Sequence, residues 1–329
     1  MKRFDLMVFI FTEALSTTGL GHLGRCIALT EILIEHDVDA TLVLHRDDSI
    51  SDPVASIPKV LTFNWKDLDA LNTFLLSHQI DTAYVDSYLA DPAIYEAIDA
   101  SVYRLVCIDD DKRIRYPKGS IILNPGFGGK FLDYDLDRNP VYTGLEYVLL
   151  RKPFREKFEF PRIKEEILSI LVTMGGTDSL NLVPKILEIL TKDFPNVRKE
   201  IVIGPAFDNI ESIQKMTDNQ TKLHKGLDAV SMRDLMQSVD LAITAGGQTT
   251  YELARSGIPM VIIETIENQA GNISGFLEFG IDSIIRLDAL SKLESLLREH
   301  LTTLMNFQRR LAFRKILANF KNQEADFFC

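Results

Sequence analysis

Short apolar runs alternate along this chain with stretches whose apolar residues recur at helical intervals. Residues 6–11 have the length and composition of a buried strand, and Leu23, Ile27, Leu29, Ile32 and Leu33 after them are spaced as one face of a helix. Residues 38–44 and 59–63 read as further strands, 67–77 as a helix carrying Leu68, Leu71 and Leu75, and 82–85, 104–108 and 121–123 as strands. Across 151–165 the pattern lapses into a charged stretch holding Pro153 and Pro161, which predicts a linker between a domain over 1–150 and a second over 166–329. Alternation restarts with a strand at 167–172 and a helix marked by Leu182, Ile186, Leu187 and Leu190. Strands at 198–203, 241–243 and 260–263 follow, with a helix near 232–236 and a helical pattern from 288 to about 321. Strand–helix alternation of this kind predicts an α/β fold with a parallel sheet in each half.

Several of these strands close on polar or turn residues: Asp86-Ser87-Tyr88, Asp109-Asp110-Asp111 and Asn124-Pro125-Gly126. In an open parallel sheet, ligands bind outside the carboxyl ends of the strands. Three glycine-rich turns fall between a strand and a helix: Gly19-Leu20-Gly21-His22, Gly175-Gly176-Thr177 and Gly246-Gly247-Gln248-Thr249. Glycine accepts positive φ and lets a ligand approach the backbone, and a helix's first turn offers free N–H groups and partial positive charge to a diphosphate. The first turn carries His22, able to exchange a proton near neutral pH. Its spacing is not that of the dinucleotide fingerprint, which lacks this histidine, and it is not a P-loop, because no Gly-Lys-Ser/Thr follows.

Other residues admit two readings. Thr177, Thr249 and Thr250 are hydroxyl donors or ordinary helix-start residues. Glu252 accepts from a ribose diol or compensates a helix dipole. Arg25 reaches a phosphate or fixes a nearby carboxylate, and Asp86 and Tyr88 line a ligand site or simply pack. The Asp109–Asp111 run contains an Asp-x-Asp pattern able to hold a divalent metal, yet three phosphate-ready turns make a metal unnecessary. We therefore expect no metal and no cofactor, with one aspartate orienting a neighbouring group.

Composition narrows the function classes. The chain has 329 residues, 46% hydrophobic and 25% charged, enough for two cores. A net charge of −11 argues against a general nucleic-acid or anionic-membrane surface. Cys26, Cys107 and Cys329 lie far apart without a Cys-x-x-Cys, so neither a zinc site nor a disulfide framework is indicated. The start of the chain reads as a strand and no run is long enough to span a bilayer, so a cytoplasmic protein is expected, with a monomer favoured.

Taken together, the motifs resemble those of the nucleotide-sugar hydrolases of the pseudaminic acid pathway and their spore-coat polysaccharide relatives. The member with a defined activity is UDP-2,4-diacetamido-2,4,6-trideoxy-β-L-altropyranose hydrolase. The matching elements are Gly19-Leu20-Gly21-His22-Leu23-Gly24-Arg25, Asp86-Ser87-Tyr88, Ile108-Asp109-Asp110, Met174-Gly175-Gly176-Thr177-Asp178, 245–252 with its Gly246-Gly247, and Asn268-Gln269. The resemblance implies two Rossmann-like domains of glycosyltransferase-B type facing each other across a cleft. It also implies metal-independent attack of water at the anomeric carbon of a UDP-linked amino or deoxy sugar, with inversion and His22 as general base. Gly19, Gly21, Arg25, Glu13, Asp86, Tyr88 and Asp109 would border the sugar. Gly175, Gly176, Thr177, Asp178, Gly246, Gly247, Thr249, Thr250, Glu252, Asn268 and Gln269 would hold the nucleotide. The family's Arg-x-Asp segment upstream of the first turn reads Phe11-Thr12-Glu13 here, so the arginine is missing and Glu13 stands in the place of the acid. The same scaffold serves an inverting glycosyltransferase, or a non-catalytic nucleotide-sugar-binding protein.

Overall fold

The computed structural model describes residues 6–15, 21–47 and 57–320. The chain divides between Lys152 and Pro153 into two compact units, each built on a sheet in which every pairing is parallel.

The first unit runs β1 (Met7–Ala14), α1 (Gly21–Glu35), β2 (Asp39–Arg46), β3 (Val60–Thr62), α2 (Leu68–Ser77), β4 (Thr82–Asp86), α3 (Pro92–Asp99), β5 (Arg104–Ile108), β6 (Ile121–Asn124) and β7 (Val141–Thr143). Its sheet order is β3-β2-β1-β4-β5-β6-β7. Both faces are covered, which is why the central strands are apolar without interruption. Val8 and Ile10 of β1 pack with Leu23, Cys26, Leu29 and Leu33 of α1, whereas Phe9 and Phe11 pack on the opposite face with Trp65, Leu71 and Tyr95. The strand outruns its apolar stretch. Thr12, Glu13 and Ala14 stay in register with Leu44, His45 and Arg46, so the ladder carries β1 up to the glycine turn. Asp67 and Asp91 cap α2 and α3 by accepting from Ala70 N and Ile94 N.

Between the sheets, α4 (Lys152–Arg155) is followed by residues without helix or strand up to β8. This stretch is fastened to the second unit. Arg255 donates to the carbonyl of Glu156, Arg314 to Pro161, and the fully buried Arg310 to Lys164 and Glu165. Phe158 and Phe160 lie beneath the guanidinium groups of Arg255 and Arg314.

The second unit runs β8 (Ser169–Thr173), α5 (Leu182–Asp193), β9 (Arg198–Ile203), α6 (Ile210–Lys215), β10 (Thr221–Lys225), α7 (Ala229–Ser238), β11 (Leu241–Ala245), α8 (Thr249–Arg255), β12 (Met260–Ile263), α9 (Ala270–Phe279), β13 (Ile284–Ile285), α10 (Leu293–Met305) and α11 (Phe307–Leu317). Its sheet order is β10-β9-β8-β11-β12-β13. The long helical pattern predicted from 288 is broken at Asn306, whose extended backbone ends α10 and whose side chain accepts from Gln308 N to start α11. Short or half-exposed elements, among them β7, β10, β13 and α6, carry too little periodicity to be read from sequence.

Candidate functional site

Parallel sheets of this type bind ligands where the strand order reverses. In the first unit that point lies between β1 and β4, and in the second between β8 and β11. The residues singled out from sequence gather at both.

In the first unit, His22 stands in the first turn of α1, buried to 5% exposure. Its Nδ1 lies 2.5 Å from Asp86 Oδ1 at the end of β4. An ionised carboxylate only accepts, so Nδ1 carries a proton, and in the neutral imidazole the lone pair then lies on Nε2. One turn on, Arg25 donates from Nε to Asp86 Oδ2 at 2.5 Å and from a terminal nitrogen to Asp86 Oδ1 at 2.7 Å. Burial works against ionisation of Asp86, but Arg25 and then His22 outweigh it and hold the carboxyl well below the usual carboxylate range. The Tyr88 ring meets the imidazole edge-on with centroids 4.0 Å apart. Burial, then the neighbouring Asp110 carboxylate, pushes the Tyr88 hydroxyl upward, so it stays a donor. His22 is thus an oriented imidazole, whose neutral form presents Nε2 as the proton acceptor.

Two residues assigned to the sugar sit elsewhere. Asp109 accepts from the hydroxyls of Tyr116 and Tyr134 and from the Lys112 amide, and these bonds consume its carboxylate inside the unit. Asp110 is the member of the run that faces Arg25. Strand parity accounts for the difference. Cys107 packs on the face away from α1 and takes Asp109 with it, whereas Val106 and Ile108 pack toward α1 and take Asp110. Glu13 is fully buried. Its Oε1 accepts from Ser87 Oγ and the Tyr88 amide, so it anchors the turn after β4 and does not stand open to a ligand. Gly19 lies outside the described residues. At Gly21, which opens α1, an added side chain would meet nothing within 4 Å. Among the described residues no group of three or more His, Cys, Asp or Glu side chains is arranged to hold a metal ion.

In the second unit, the turns after the adjacent strands β8 and β11 come side by side. Gly175 has φ +79°, a conformation that requires glycine. Its turn is shaped by Gly204 at the end of β9, where a Cβ would lie 2.5 Å from the carbonyl oxygen of Gly176. Thr177 is exposed, and Gly176 is half-buried. Asp178 is turned inward and accepts from Leu182 N at 2.8 Å, Val183 N at 2.9 Å and Asn209 Nδ2 at 2.7 Å, which makes it the cap of α5. Beyond β11, Gly246 is closely approached by α9, where a Cβ would lie 2.8 Å from Ile273 Cδ1. Thr250 donates to Gly247 O, and Asn272 donates to Gly246 O, both at 2.5 Å. Gly247 and Thr249 stay half-buried on this turn, and Glu252 is buried in the first turn of α8. Gln269 accepts from the Thr265 amide and braces the bend that carries Asn268. Gly204 and Asn272 escaped the sequence reading because their contacts come from neighbouring strands and helices. A cavity of about 600 Å³ in this unit, lined by Lys185, Ile189, Leu293 and Arg298 among others, borders none of these residues.

The chain has relatives among curated proteins. It is 27% identical over 289 residues to the Helicobacter pylori pseudaminic acid cytidylyltransferase and UDP-2,4-diacetamido-2,4,6-trideoxy-beta-L-altropyranose hydrolase, covering 87% of this chain and 49% of that protein. It is 25% identical over 177 residues to the Bacillus subtilis spore coat polysaccharide biosynthesis protein SpsG, covering 53% of this chain and 52% of that protein. The chain therefore spans about half the length of the curated relatives it matches. No protein-family model matches it. Among solved structures, a glycotransferase of kitacinnamycin superposes with a TM-score of 0.63 at 18% identity, covering 99% of this chain and 98% of that one. MurG of Acinetobacter baumannii superposes with a TM-score of 0.61 at 14% identity, covering 97% and 96%. The fold is that of the glycosyltransferase-B enzymes: two parallel-sheet α/β domains.

Proposed function

We propose that this chain is a nucleotide-sugar enzyme of surface-polysaccharide or nonulosonic acid biosynthesis, and that it hydrolyses a UDP-linked amino or deoxy sugar. The observation that carries this reading is the buried His22–Asp86 pair at the strand-order reversal of the first unit, which leaves Nε2 as a proton acceptor. Support for hydrolysis comes from the similarity to the Helicobacter pylori protein, whose name includes a UDP-sugar hydrolase.

In this mechanism His22 Nε2 takes a proton from water while the water oxygen bonds to the anomeric carbon. The bond from that carbon to the diphosphate oxygen breaks, and its electron pair leaves with UDP. The products are UDP and the free sugar with inverted configuration. Proton transfer of this kind contributes roughly 10²–10⁴-fold. The glycine turns at 175–177 and 246–249 supply the donors that receive charge on the departing diphosphate, a preorganised electrostatic contribution. The fold similarity to glycosyltransferases supports a second reading, in which the same base serves an acceptor hydroxyl.

The test is a panel of UDP-sugars in ¹⁸O-water with mass detection. Hydrolysis at carbon puts the label in the sugar, attack at phosphorus puts it in UDP, and product formed only with an added alcohol identifies a transferase. The His22→Ala protein is expected to bind UDP and to release no sugar. Retained hydrolysis by that variant would remove the base assignment.

A further inference from the structure

We infer that Asp110 is a positioning residue for His22, acting through Arg25 and Tyr88, and that Arg25 is an internal cation of the site and not a phosphate ligand. This rests on His22 as the base.

A guanidinium has five N–H donors. In Arg25, Nε and one terminal nitrogen donate to Asp86, and the other terminal nitrogen donates to the Asp110 carboxylate, lying 2.7 and 2.8 Å from its two oxygens. The nitrogen that donates to Asp86 Oδ1 also lies 3.2 Å from His22 Nδ1, a contact between two donors that share the same carboxylate oxygen. Two carboxylates thus hold the guanidinium, and the residue is 8% exposed, so its charge is committed inside the cluster. Asp110 touches the imidazole through neither oxygen, yet it fixes both of the groups that do. It grips the cation that pins Asp86, and its Oδ2 accepts from the Tyr88 hydroxyl at 2.7 Å, holding the ring that flanks His22.

The charge count gives this arrangement a purpose. Two carboxylates against one guanidinium leave the cluster with one net negative charge while the imidazole is neutral, and with none once it has taken a proton. A second aspartate therefore makes proton uptake a neutralisation in a place where an uncompensated charge is costly. The groups facing the imidazole are Arg25 and Cys26 from α1, Asp86 and Tyr88 from the end of β4, and Asp110 from the end of β5.

The test pairs a substrate-free measurement with kinetics on the full chain. In protein labelled with ¹⁵N-histidine, His22 is expected to show a far-downfield Nδ1 proton that exchanges slowly. In Asp110→Asn this signal broadens or disappears while UDP affinity stays within about twofold. With a UDP-sugar, the same variant loses roughly 10- to 100-fold in kcat, the scale of misplacing a catalytic group, with KM little changed. Asp110→Glu restores part of both. Tyr88→Phe, which removes only the hydroxyl bond, serves if Asp110→Asn fails to fold, and gives a smaller loss in the same direction. An unchanged Nδ1 signal and kcat would overturn the inference, as would a raised KM and weakened UDP binding at constant kcat, because Asp110 would then be a ligand contact. Loss of the signal in Asp110→Asn, where the wild-type protein shows it but hydrolyses no UDP-sugar, upholds the positioning role and removes the hydrolase reading.

Discussion

Asparagine in place of Asp86 keeps the shape of the side chain and removes one charge from the centre of the first unit. The carboxylate accepts at both oxygens, from Arg25 Nε at Oδ2 and from His22 Nδ1 and Arg25 at Oδ1. An amide has one acceptor oxygen to offer. With the oxygen toward His22, its NH₂ meets the Arg25 Nε–H head-on and a buried donor loses its partner, at about 1–3 kcal/mol. With the amide turned over, the NH₂ faces His22 Nδ1. The imidazole must then carry its proton on Nε2, and no base remains. Both outcomes come on top of a broken buried ion pair. Removing one partner of such a pair costs about 3–5 kcal/mol, and the low end applies because Asp110 still neutralises Arg25. Asp86→Asn should therefore unfold at a markedly lower denaturant midpoint and lose roughly 10²–10⁴ in kcat, the range of general-base catalysis. UDP affinity, which the proposed function assigns to the second unit, should hold. Steady-state release of UDP and urea unfolding read the two effects separately. A variant within threefold of wild type in kcat, with an unshifted midpoint, would refute the reasoning, since the imidazole would not depend on Asp86.

Acid stability follows from the same carboxylates. Burial opposes their ionisation, but Arg25 overrides it and holds both Asp86 and Asp110 below the ordinary range. A depressed folded value stabilises the native state above the unfolded value, about 3.9, and that contribution drains away as pH falls below it. Unfolding midpoints followed from neutral pH into acid should therefore fall more steeply below about pH 4 in wild type than in Asp86→Asn; parallel curves would contradict this. Gly204→Ala should push the 175–176 turn out of place and weaken UDP binding by roughly tenfold, with an overpacking cost of about 1–3 kcal/mol, measurable by calorimetry and thermal melting. Asp178→Ala should cost about 1–2 kcal/mol as a lost helix cap and leave UDP affinity within twofold; a large fall in affinity would mean that the carboxylate serves the nucleotide after all.

Much of the fold was legible because the central strands are buried on both faces and announce themselves as apolar runs. The glycine turns were legible because Gly175 has a backbone that side chains rarely adopt, and Gly246 is pressed by Ile273. The partners of those turns were not. Gly204 and Asn272 act from elements that become neighbours only when β9 joins β8 and α9 settles against the turn after β11. The three consecutive aspartates were ambiguous for a different reason. Sequence presents Asp109, Asp110 and Asp111 as chemically equal, and only the pairing of Asp86 with Ile108 fixes which of them the Arg25 guanidinium meets. The parity that separates them was nonetheless present in the apolar residues just upstream.

That parity also decides what the phenylalanine at position 11 means. On β1, Phe9, Phe11 and Glu13 share one face, the face that turns away from α1. Phe11 lies edge-on to Trp65 and Phe74, with centroids 5.6 and 6.1 Å away, and is fully buried. The position where the resembling family carries arginine is here a core position, occupied by a ring packed among other aromatic rings. Glu13 alone reaches the end of the strand, and both bonds of its Oε1 go to Ser87 and Tyr88. This strand end therefore bears on the substrate indirectly, by fixing the backbone of the turn whose tyrosine flanks His22. The phenylalanine at position 11 leaves the imidazole with its supporting carboxylates intact. Phe11 and Glu13 thus lie on the face of the sheet opposite to the one that carries His22 and Asp86, and the two faces are joined through the turn that Glu13 holds.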